Sequence, residues 1–255
     1  MKNRIRNAVS IVIVIVLALI IWKLAVNYFT ANDDKWKYRA YFPPPDVVFQ
    51  TMWEDRVNLI EHVKSSLGLI FNGYIRGLLL AVPLGLIIGY AKHIGTTLGT
   101  VSKFLGSIPP IVYIPYGIAL LPTFEDSRIM VIFLATFFPV LAATISGVRY
   151  TEKKYVEMAR IYGHSKISVL FRVVLPNALP HIFTGCNQGL SVSFILLTSA
   201  EMINSRAGIG YYVNYYSDLG NWTKTLVGVI IIGVVISLVF AIFQALQKYL
   251  LRWQS

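Results

Sequence analysis

The sequence predicts an all-α membrane protein with six transmembrane helices, and three features support this fold class. Only 14% of the 255 residues are charged, whereas soluble domains average about 25%. The mean hydropathy is +0.62, and several apolar stretches reach the roughly 20 residues that an α-helix needs to cross a bilayer. Basic residues are also distributed unevenly among the connecting segments, as expected for a chain inserted in one orientation.

The first predicted helix begins near the start of the chain. Ile11 to Thr30 is an apolar run that only Lys23 and Asn27 interrupt. A basic start followed by an apolar run also occurs in signal peptides. This run is longer than their usual apolar region of about 7–15 residues, and no small-residue cleavage site follows it. We therefore expect a retained membrane helix.

Five further helices follow by the same criterion. The last is the clearest, because Leu226 to Leu246 contains only one serine and one glutamine. The third is interrupted by Pro109, Pro110 and Pro115, and each proline removes a backbone donor and kinks a helix. Such a break is compatible with a tolerated kink or with an element that lines a water-filled path. The six predicted helices are 9–29, 66–91, 105–122, 127–148, 180–203 and 224–247.

Residues 31–65 connect the first two predicted helices. After three prolines at 43–45, an apolar series indicates a short amphipathic helix along the membrane surface, although a plain connecting loop fits nearly as well. We accordingly divide the chain into a first helix with its outer linker, residues 1–65, and a membrane core, residues 66–255. The apolar series consists of Val57, Leu59, Ile60 and Val63.

The second predicted helix carries two pairs of glycines, each pair with a spacing of four residues. Small residues at this spacing let membrane helices approach closely, so packing against a neighbouring helix is the expected role. The pairs are Gly73 with Gly77 and Gly85 with Gly89.

The charge distribution orients the predicted helices. With the N-terminus inside, the N-terminal tip, the turn 92–104, the loop 149–179 and the C-terminal tail are cytoplasmic, and so are both termini. These pieces contain only two acids, Glu152 and Glu157, whereas most other acids fall in the outer pieces. This is the distribution that the positive-inside rule describes. The cytoplasmic cations are Lys2, Arg4, Arg6, Lys92, Lys103, Arg149, Lys153, Lys154, Arg160, Lys166, Arg172, Lys248 and Arg252.

The net charge of +11 alone would be compatible with a nucleic-acid partner. The basic residues lie beside apolar segments and form no separate polar domain, so we expect no nucleic-acid binding and a partner in membrane lipid instead. The single cysteine, Cys186, excludes an intrachain disulfide and offers no redox motif.

Residues 151–176 are too polar and basic to lie in lipid, and their pattern predicts a helix, a turn and a second helix. Tyr155, Met158, Ala159 and Tyr162 follow the spacing of one helix face. Gly163 then stands where a helix end favours a residue that accepts a positive φ. Ser165 can cap the second helix, which Pro176 and Pro180 limit. The apolar face of that helix consists of Ile167, Leu170, Phe171 and Val174.

The two apolar stripes have two interpretations. They either pack onto the ends of the chain's own membrane helices or dock into a groove on a partner protein.

These residues resemble the conserved cytoplasmic loop of ABC importer permeases, known as the EAA loop. Its pattern is Glu-Ala-Ala, three residues, Gly, nine residues and then Ile-x-Leu-Pro, and the spacing in this chain is the same. Two positions depart from the pattern, Met158 and Val173, and both substitutes are apolar. The residues that match or replace the pattern are Glu157, Met158, Ala159, Gly163, Val173, Val174, Leu175 and Pro176.

The resemblance extends over roughly residues 65–250 and is closest to the nitrate, sulfonate and taurine branch, which also moves vitamin precursors. The segments Val82–Gly85, Phe137–Pro139, Ala200–Met202 and Ala207–Tyr211 resemble that branch. This resemblance implies a type I importer permease fold that works as a dimer, usually of identical copies. A binding protein outside would deliver a small anion or a vitamin precursor.

The resemblance further implies that ATP and Mg are bound by a separate cytoplasmic ATPase and that this chain is not an enzyme. The sequence agrees, because it contains no G-x-x-x-x-G-K-[ST] phosphate loop. The implied ATPase-coupling residues are Tyr155, Glu157, Met158, Ala159, Tyr162, Gly163, Leu175 and Pro176.

Four residues in the predicted helices are candidates for the translocation path, namely Arg76, Pro109, Pro110 and Glu201. A charged side chain at membrane depth is costly and usually faces a cavity or a partner. Arg76 either contacts an anionic substrate, as the resemblance would suit, or extends to the membrane interface, or pairs with a structural partner. Glu201, near the outer end of the fifth helix, is interpreted as a gate or packing residue.

Two other classes of protein are less compatible with the sequence. An intramembrane enzyme would need nucleophiles or paired carboxylates that these helices lack, and the four histidines show no metal-site spacing. A secondary transporter driven by an ion gradient is the main alternative. Such proteins usually have more helices and internal repeats, and the sequence shows neither.

Overall fold

The computed structural model describes residues 2–30, 41–91 and 94–254, and these ranges contain helices and turns but no β-strand. The long helices are α1 (Lys2–Thr30), α3 (Arg56–Tyr90), α6 (Phe124–Tyr150), α9 (Leu175–Asn204) and α11 (Trp222–Leu250). The shorter helices are α2 (Pro45–Glu54), α4 (Ile94–Gly106), α5 (Ile114–Leu120), α7 (Lys153–Ile161), α8 (Lys166–Val169) and α10 (Ile209–Asp218). The 3-10 turns are Pro110–Tyr113 and Arg252–Gln254, and a π-helical turn, Leu170–Val174, joins α8 to α9. Residues 31–40 of the predicted outer linker and 92–93 of the predicted turn 92–104 lie outside the described ranges.

Within the described ranges, four helical stretches are long and apolar enough to cross a membrane: α3, α6, Lys166–Ile203 and α11. They coincide with the second, fourth, fifth and sixth predicted helices. The all-α membrane fold is therefore confirmed. On α11, Leu238 and Ile242 are 58% and 70% exposed, as a lipid-facing surface requires, because a helix that is apolar on all sides is either buried or a membrane span.

The first predicted helix, 9–29, lies within α1, of which Val16–Phe29 is the apolar part found among the described residues. Val26 is buried, and Trp22 packs into a small cluster that includes Val48 of α2. The contact between α1 and the remaining described residues is thus made largely through α2. The apolar side chains towards the other end, such as Ile13 and Val14, are exposed.

The prediction of a surface helix at Val57–Val63 is wrong. These residues form the first turns of α3, which runs without a break through the boundary at 65 and 66. At 1.5 Å per residue, its 35 residues extend about 52 Å, well beyond a hydrocarbon core of about 30 Å. The apolar spacing therefore belongs to a membrane helix that continues past the bilayer. The short amphipathic helix is α2, which starts at Pro45 and buries Val48 completely.

The predicted third helix, 105–122, is wrong in both its start and its continuity. Residues 94–104, assigned to a turn from the sequence, belong to the helix α4, and Ser107–Pro109 then separates α4 from the 3-10 turn and α5. Proline cannot donate the helical hydrogen bond, so the break coincides with Pro109 and Pro110. The carbonyls before the break remain partnered, because Ser107 N–H donates to Phe104 O (3.2 Å) and Ile108 N–H donates to Leu105 O (3.3 Å).

Three membrane helices form the core of the chain, with α6 packed along its length against α3 on one side and α9 on the other. Ile132 and Val140 of α6 and Ala81 of α3 are fully buried between them. Two hydroxyl groups lie in the same apolar contact, where Thr136 and Ser193 Oγ atoms are 2.9 Å apart. Each satisfies the other, which removes the cost of burying an unpaired polar group.

The glycines of α3 allow its close approach to α6, which confirms the packing role. A methyl group placed on any of the four would lie 2.6–2.8 Å from Cβ of a β-branched residue of α6. Carbon atoms normally approach no closer than about 3.5 Å, so only a residue without a side chain fits. The facing pairs are Gly73 with Ile132, Gly77 with Thr136, Gly85 with Thr144, and Gly89 with Val148.

We expect Gly85→Val to destabilise the helix bundle strongly, because the added side chain would meet Thr144 and force α3 away from α6. Overpacking of this kind typically costs about 1–3 kcal/mol. The yield of monodisperse protein in detergent and its thermal unfolding midpoint measure the effect. Gly68→Val is the matched control on the same helix, because no atom lies within 4 Å of an added Cβ there. Equal loss in both variants would contradict the packing role.

Candidate functional site

The segment 151–176 begins with a helix that ends at Gly163 in a defined hydrogen-bonded turn. Gly163 has φ 79, as predicted. Its N–H donates to Arg160 O (2.9 Å), and His164 N–H donates to Ala159 O (3.1 Å). These two bonds form a Schellman motif, which requires a left-handed residue at the position of Gly163. Ser165 Oγ then accepts from Ser168 N–H and caps α8, as predicted.

The face predicted for the first helix is divided between two environments. Tyr155, Met158 and Tyr162 are 44%, 53% and 79% exposed, whereas Ala159 is buried in the core. Ile161, which the spacing omitted, is 83% exposed. The inner side of α7 thus packs onto the chain's own helices, and a set of large apolar side chains on the outer side remains exposed on the described chain.

The second predicted helix differs more from the sequence pattern. Instead of ending at Pro176, the helical path continues through the π-helical turn into α9, with Pro180 inside the helix. Leu175 N–H donates to Leu170 O, an i→i−5 bond. A π turn accommodates an additional residue, and here it ends two residues before Pro176, the residue that lacks an N–H. The prediction that Pro176 and Pro180 limit the helix is therefore wrong.

This turn changes which apolar residues are buried in the second half of the segment. Val169 and Val174 are almost completely buried, whereas Ile167 and Phe171 are 70% and 56% exposed. Leu175 and Pro176 are partly buried at the start of α9. Pro176 also lines a hollow of about 470 Å³ together with Tyr155 and Trp253. Glu157 is exposed on α7.

Arg76 lies in the middle of α3 and lines a cleft of about 650 Å³ between α3, the 121–122 turn and α6. Asp126 lines the same cleft, and the remaining walls are mostly apolar. Pro109, Pro110 and Glu201 do not line it. Of the four predicted path residues, Arg76 is therefore the one that lines this cleft.

Glu201 is 1% exposed and bonds to two other elements near the end of α9. Ser66 Oγ–H of α3 donates to Glu201 Oε1 (2.7 Å), and Gly210 N–H donates to Oε2 (2.8 Å). Ser66 Oγ in turn accepts from Ile209 N–H (2.9 Å). Glu201 and Ser66 therefore satisfy two of the free N–H groups at the start of α10, where the helix dipole also favours a negative charge.

The turn that precedes α10 is fixed by further side chains. Gly208 has φ 111, and its N–H donates to His62 Nδ1 (3.2 Å). Arg128 of α6 donates to Ser205 Oγ. An added Cβ at Gly208 would collide with the Glu201 carboxylate. Turn 205–210 is thereby bonded to α3, α6 and α9 at once.

Ser66, His62 and the helix α10 were not predicted from the sequence. Two signals were present: His62 and Ser66 are four residues apart on one helix face, and Gly208 and Gly210 follow Glu201 closely.

Helix α10 is also anchored through a tyrosine and an ion pair. Tyr212 Oη–H donates to Asp55 Oδ2 (2.6 Å), and Lys224 Nζ lies 3.2 Å from the same oxygen. Lys224 also donates to Tyr216 Oη (3.1 Å). Burial is the main cause that raises the pKa of Tyr212 above its ordinary value, and the bond to Asp55 is the second cause. This hydroxyl therefore remains a donor. The start of α3, α10 and α11 are thus held together.

The family model and the relatives that match this chain are described as membrane components or permeases of transport systems. The family model for the inner membrane component of binding-protein-dependent transport systems matches residues 81–255. A putative ABC transporter permease protein of Methanocaldococcus jannaschii is 32% identical over 179 residues, which cover 70% of this chain and 67% of that protein. The taurine transport system permease protein of Escherichia coli is 28% identical over 222 residues, with coverages of 84% and 81%.

The bicarbonate transport system permease protein of Synechococcus elongatus is 30% identical over 195 residues, covering 74% of this chain and 68% of that protein. Among solved structures, an inward facing conformation of the MetNI methionine ABC transporter matches with a TM-score of 0.66. The match covers 77% of this chain and 98% of that chain at 15% identity, so it supports the fold alone. The chain belongs to the family of binding-protein-dependent transport system inner membrane components, the permease subunits of ABC importers.

Proposed function

We propose that this permease subunit moves a small acid anion across the membrane and is driven by a separate ATPase that docks on residues 151–176. The permease role follows from the family. Relatives at 28% and 30% identity are named for taurine and bicarbonate, and both of these solutes carry an acid group. A small solute that carries an anionic acid group, delivered by an extracytoplasmic binding protein, is therefore the substrate class that the relatives favour.

The exposed apolar side chains around Gly163 are the observation that carries the docking proposal. They lie on segment 151–176, whose first helix begins with two lysines, so lipid is an unsuitable environment for them. A cluster of large exposed apolar residues on a polar segment is typical of a surface that binds another protein, and a helix face of this kind fits a groove. The residues are Tyr155, Met158, Ile161, Tyr162, Ile167 and Phe171.

We propose six membrane crossings, with α1 and the broken element 94–120 added to the four long helices. Neither α4 nor α5 alone reaches about 20 residues, but the two together do. A helix break at membrane depth is tolerated where protein or a water-filled cavity satisfies the backbone. Phe104, Val112 and Tyr116 are 54–70% exposed, so this element offers a surface to a second permease copy or to the path.

Both termini are proposed to be cytoplasmic, because the basic residues then lie inside. ATP and Mg are assigned to the ATPase. Arg76 is the candidate contact for the anion, because it supplies a cation to an otherwise apolar cleft that also contains Asp126.

Purified permease alone should hydrolyse no ATP, whereas the permease with its ATPase should do so, and a loaded binding protein should raise the rate further. Proteoliposomes that contain the permease and its ATPase, supplied with binding protein loaded with taurine or bicarbonate, should take up that solute only when ATP is present. Robust hydrolysis by the isolated permease, with contaminating ATPases excluded, would refute the division of roles. Uptake driven by an ion gradient without ATP would refute the importer mechanism.

A further inference from the structure

A cavity of about 310 Å³ lies where the ends of α3 and α6 meet the first helix of segment 151–176. Arg149, Lys153 and Arg160 line it together with the acid Glu157. Tyr90 and Thr151 add hydroxyl groups to its wall, and Tyr90 Oη accepts from Arg160 Nη2 (3.2 Å). We call this the inner basic cavity.

The charges of the inner basic cavity are not balanced within the described chain. It has three cations and one carboxylate, and the ion pairs found among the described residues are Lys23–Asp46, Lys154–Glu152 and Lys224–Asp55. None of these pairs involves a residue of the cavity. Two arginines and a lysine around one concave space form an arrangement that binds phosphate, since guanidinium groups can bond two of its oxygens at once.

The position of the cavity indicates where that phosphate comes from. Tyr90 is the last residue of α3 and Tyr150 is the last residue of α6, and both helices are long and apolar enough to cross a membrane. A bilayer that ends where these two helices end would have its headgroups beside the cavity. Its lining also includes three apolar side chains, Val148, Val156 and Val174. An amphipathic molecule with an anionic head fits these walls better than a free anion does.

We propose that the inner basic cavity binds the phosphate group of an anionic phospholipid. The inference rests on the proposed cytoplasmic location of segment 151–176. It goes further than the general excess of cations on that side, because it assigns the phosphate to one cavity and to named side chains, Arg149, Lys153 and Arg160. Since α7 forms one wall of the cavity, the bound headgroup would stabilise the position of α7, whose other face is proposed to contact the ATPase.

Native mass spectrometry of the permease–ATPase complex, titrated with phosphatidylglycerol or phosphatidylcholine, tests the proposal. We expect the wild type to bind phosphatidylglycerol in preference. Arg149→Gln/Lys153→Gln should weaken that binding about fivefold for each lost cation, or ~25-fold for both. Arg172→Gln/Lys166→Gln is the matched control, because it removes the same two charges from the same segment at residues that do not line the cavity. It should change binding less than about twofold.

Equal loss in the two double variants, or equal affinity of the wild type for both lipids, would overturn the proposal. Inorganic phosphate alone forms the third arm. The lipid assignment is wrong if phosphate raises the thermal midpoint of the wild type but not that of Arg149→Gln/Lys153→Gln, while phosphatidylglycerol raises the midpoint of neither protein. Co-purification of the ATPase is scored separately in every sample, so loss of the complex from the wild type would count against the proposed function and not against the cavity.

Discussion

Gly163→Val should abolish uptake while the protein remains in the membrane at near-normal amounts. The backbone at Gly163 has φ 79, and no atom lies within 4 Å of an added Cβ, so the substitution causes backbone strain without a collision. A residue with a Cβ raises the free energy of this conformation by about 1–2 kcal/mol, and a β-branched residue raises it more. The strain should break the two bonds that end α7 and re-aim it, so that Tyr155, Met158 and Tyr162 no longer meet a partner together.

Two matched variants separate this effect from general strain. Gly220 has φ 68 and equally open surroundings, so Gly220→Val imposes the same kind of strain at a turn outside segment 151–176 and should leave coupling intact. Gly163→Asn should retain much of the uptake, because asparagine tolerates the left-handed region. Uptake and co-purification of the ATPase are the measurements. Normal uptake by Gly163→Val with the ATPase still bound would show that this segment is not the coupling site.

The long membrane helices could be predicted from the sequence because their signal is local. An uninterrupted apolar run of about 20 residues is characteristic of a membrane-spanning helix, and the spacing of Gly73, Gly77, Gly85 and Gly89 gave the packing face of α3 correctly. The ends of the helices were less predictable. Residues 57–63 have the same apolar spacing whether the helix is separate or continues into the bilayer, and only the packing of α3 decides between the two.

The prolines in the sequence indicated where the backbone would be irregular, but they did not indicate which structure would form there. Pro109 and Pro110 indicated a break, yet the sequence did not reveal that residues 94–104, assigned to a turn, are helical. Near Pro176 the chain forms a π turn rather than a helix end. A periodicity of 3.6 residues cannot describe the face of a segment with a π turn, which is why Val169, absent from the predicted stripe, is buried.

The environment of Glu201 could not be predicted, because its partner Ser66 is 135 residues away in the sequence. A single acid near a helix end indicates only that some partner exists. The structure supplies those partners, because Glu201 bonds to Ser66 of α3 and to Gly210 at the start of α10.

Glu201→Ala should destabilise the fold more than the replacement of any other single Asp or Glu by alanine. It would leave Ser66 Oγ–H and Gly210 N–H without their acceptor in a site that is almost completely buried. Each unsatisfied buried group costs about 1–3 kcal/mol, and the cavity left by the side chain adds to the loss. The thermal midpoint in detergent should therefore fall well below that of Glu61→Ala, an exposed glutamate on α3 whose removal should change stability by no more than about 0.5 kcal/mol.

Glu201→Gln distinguishes the hydrogen-bonding role from simple packing. Glutamine has nearly the same volume, but it presents one oxygen and one NH₂ group to two donors that both need an acceptor. One of the two bonds should persist, so we expect an intermediate midpoint between those of the wild type and Glu201→Ala. If glutamine restored full stability, shape alone would explain the site. If both variants matched Glu61→Ala, Glu201 would not hold the start of α10 in place.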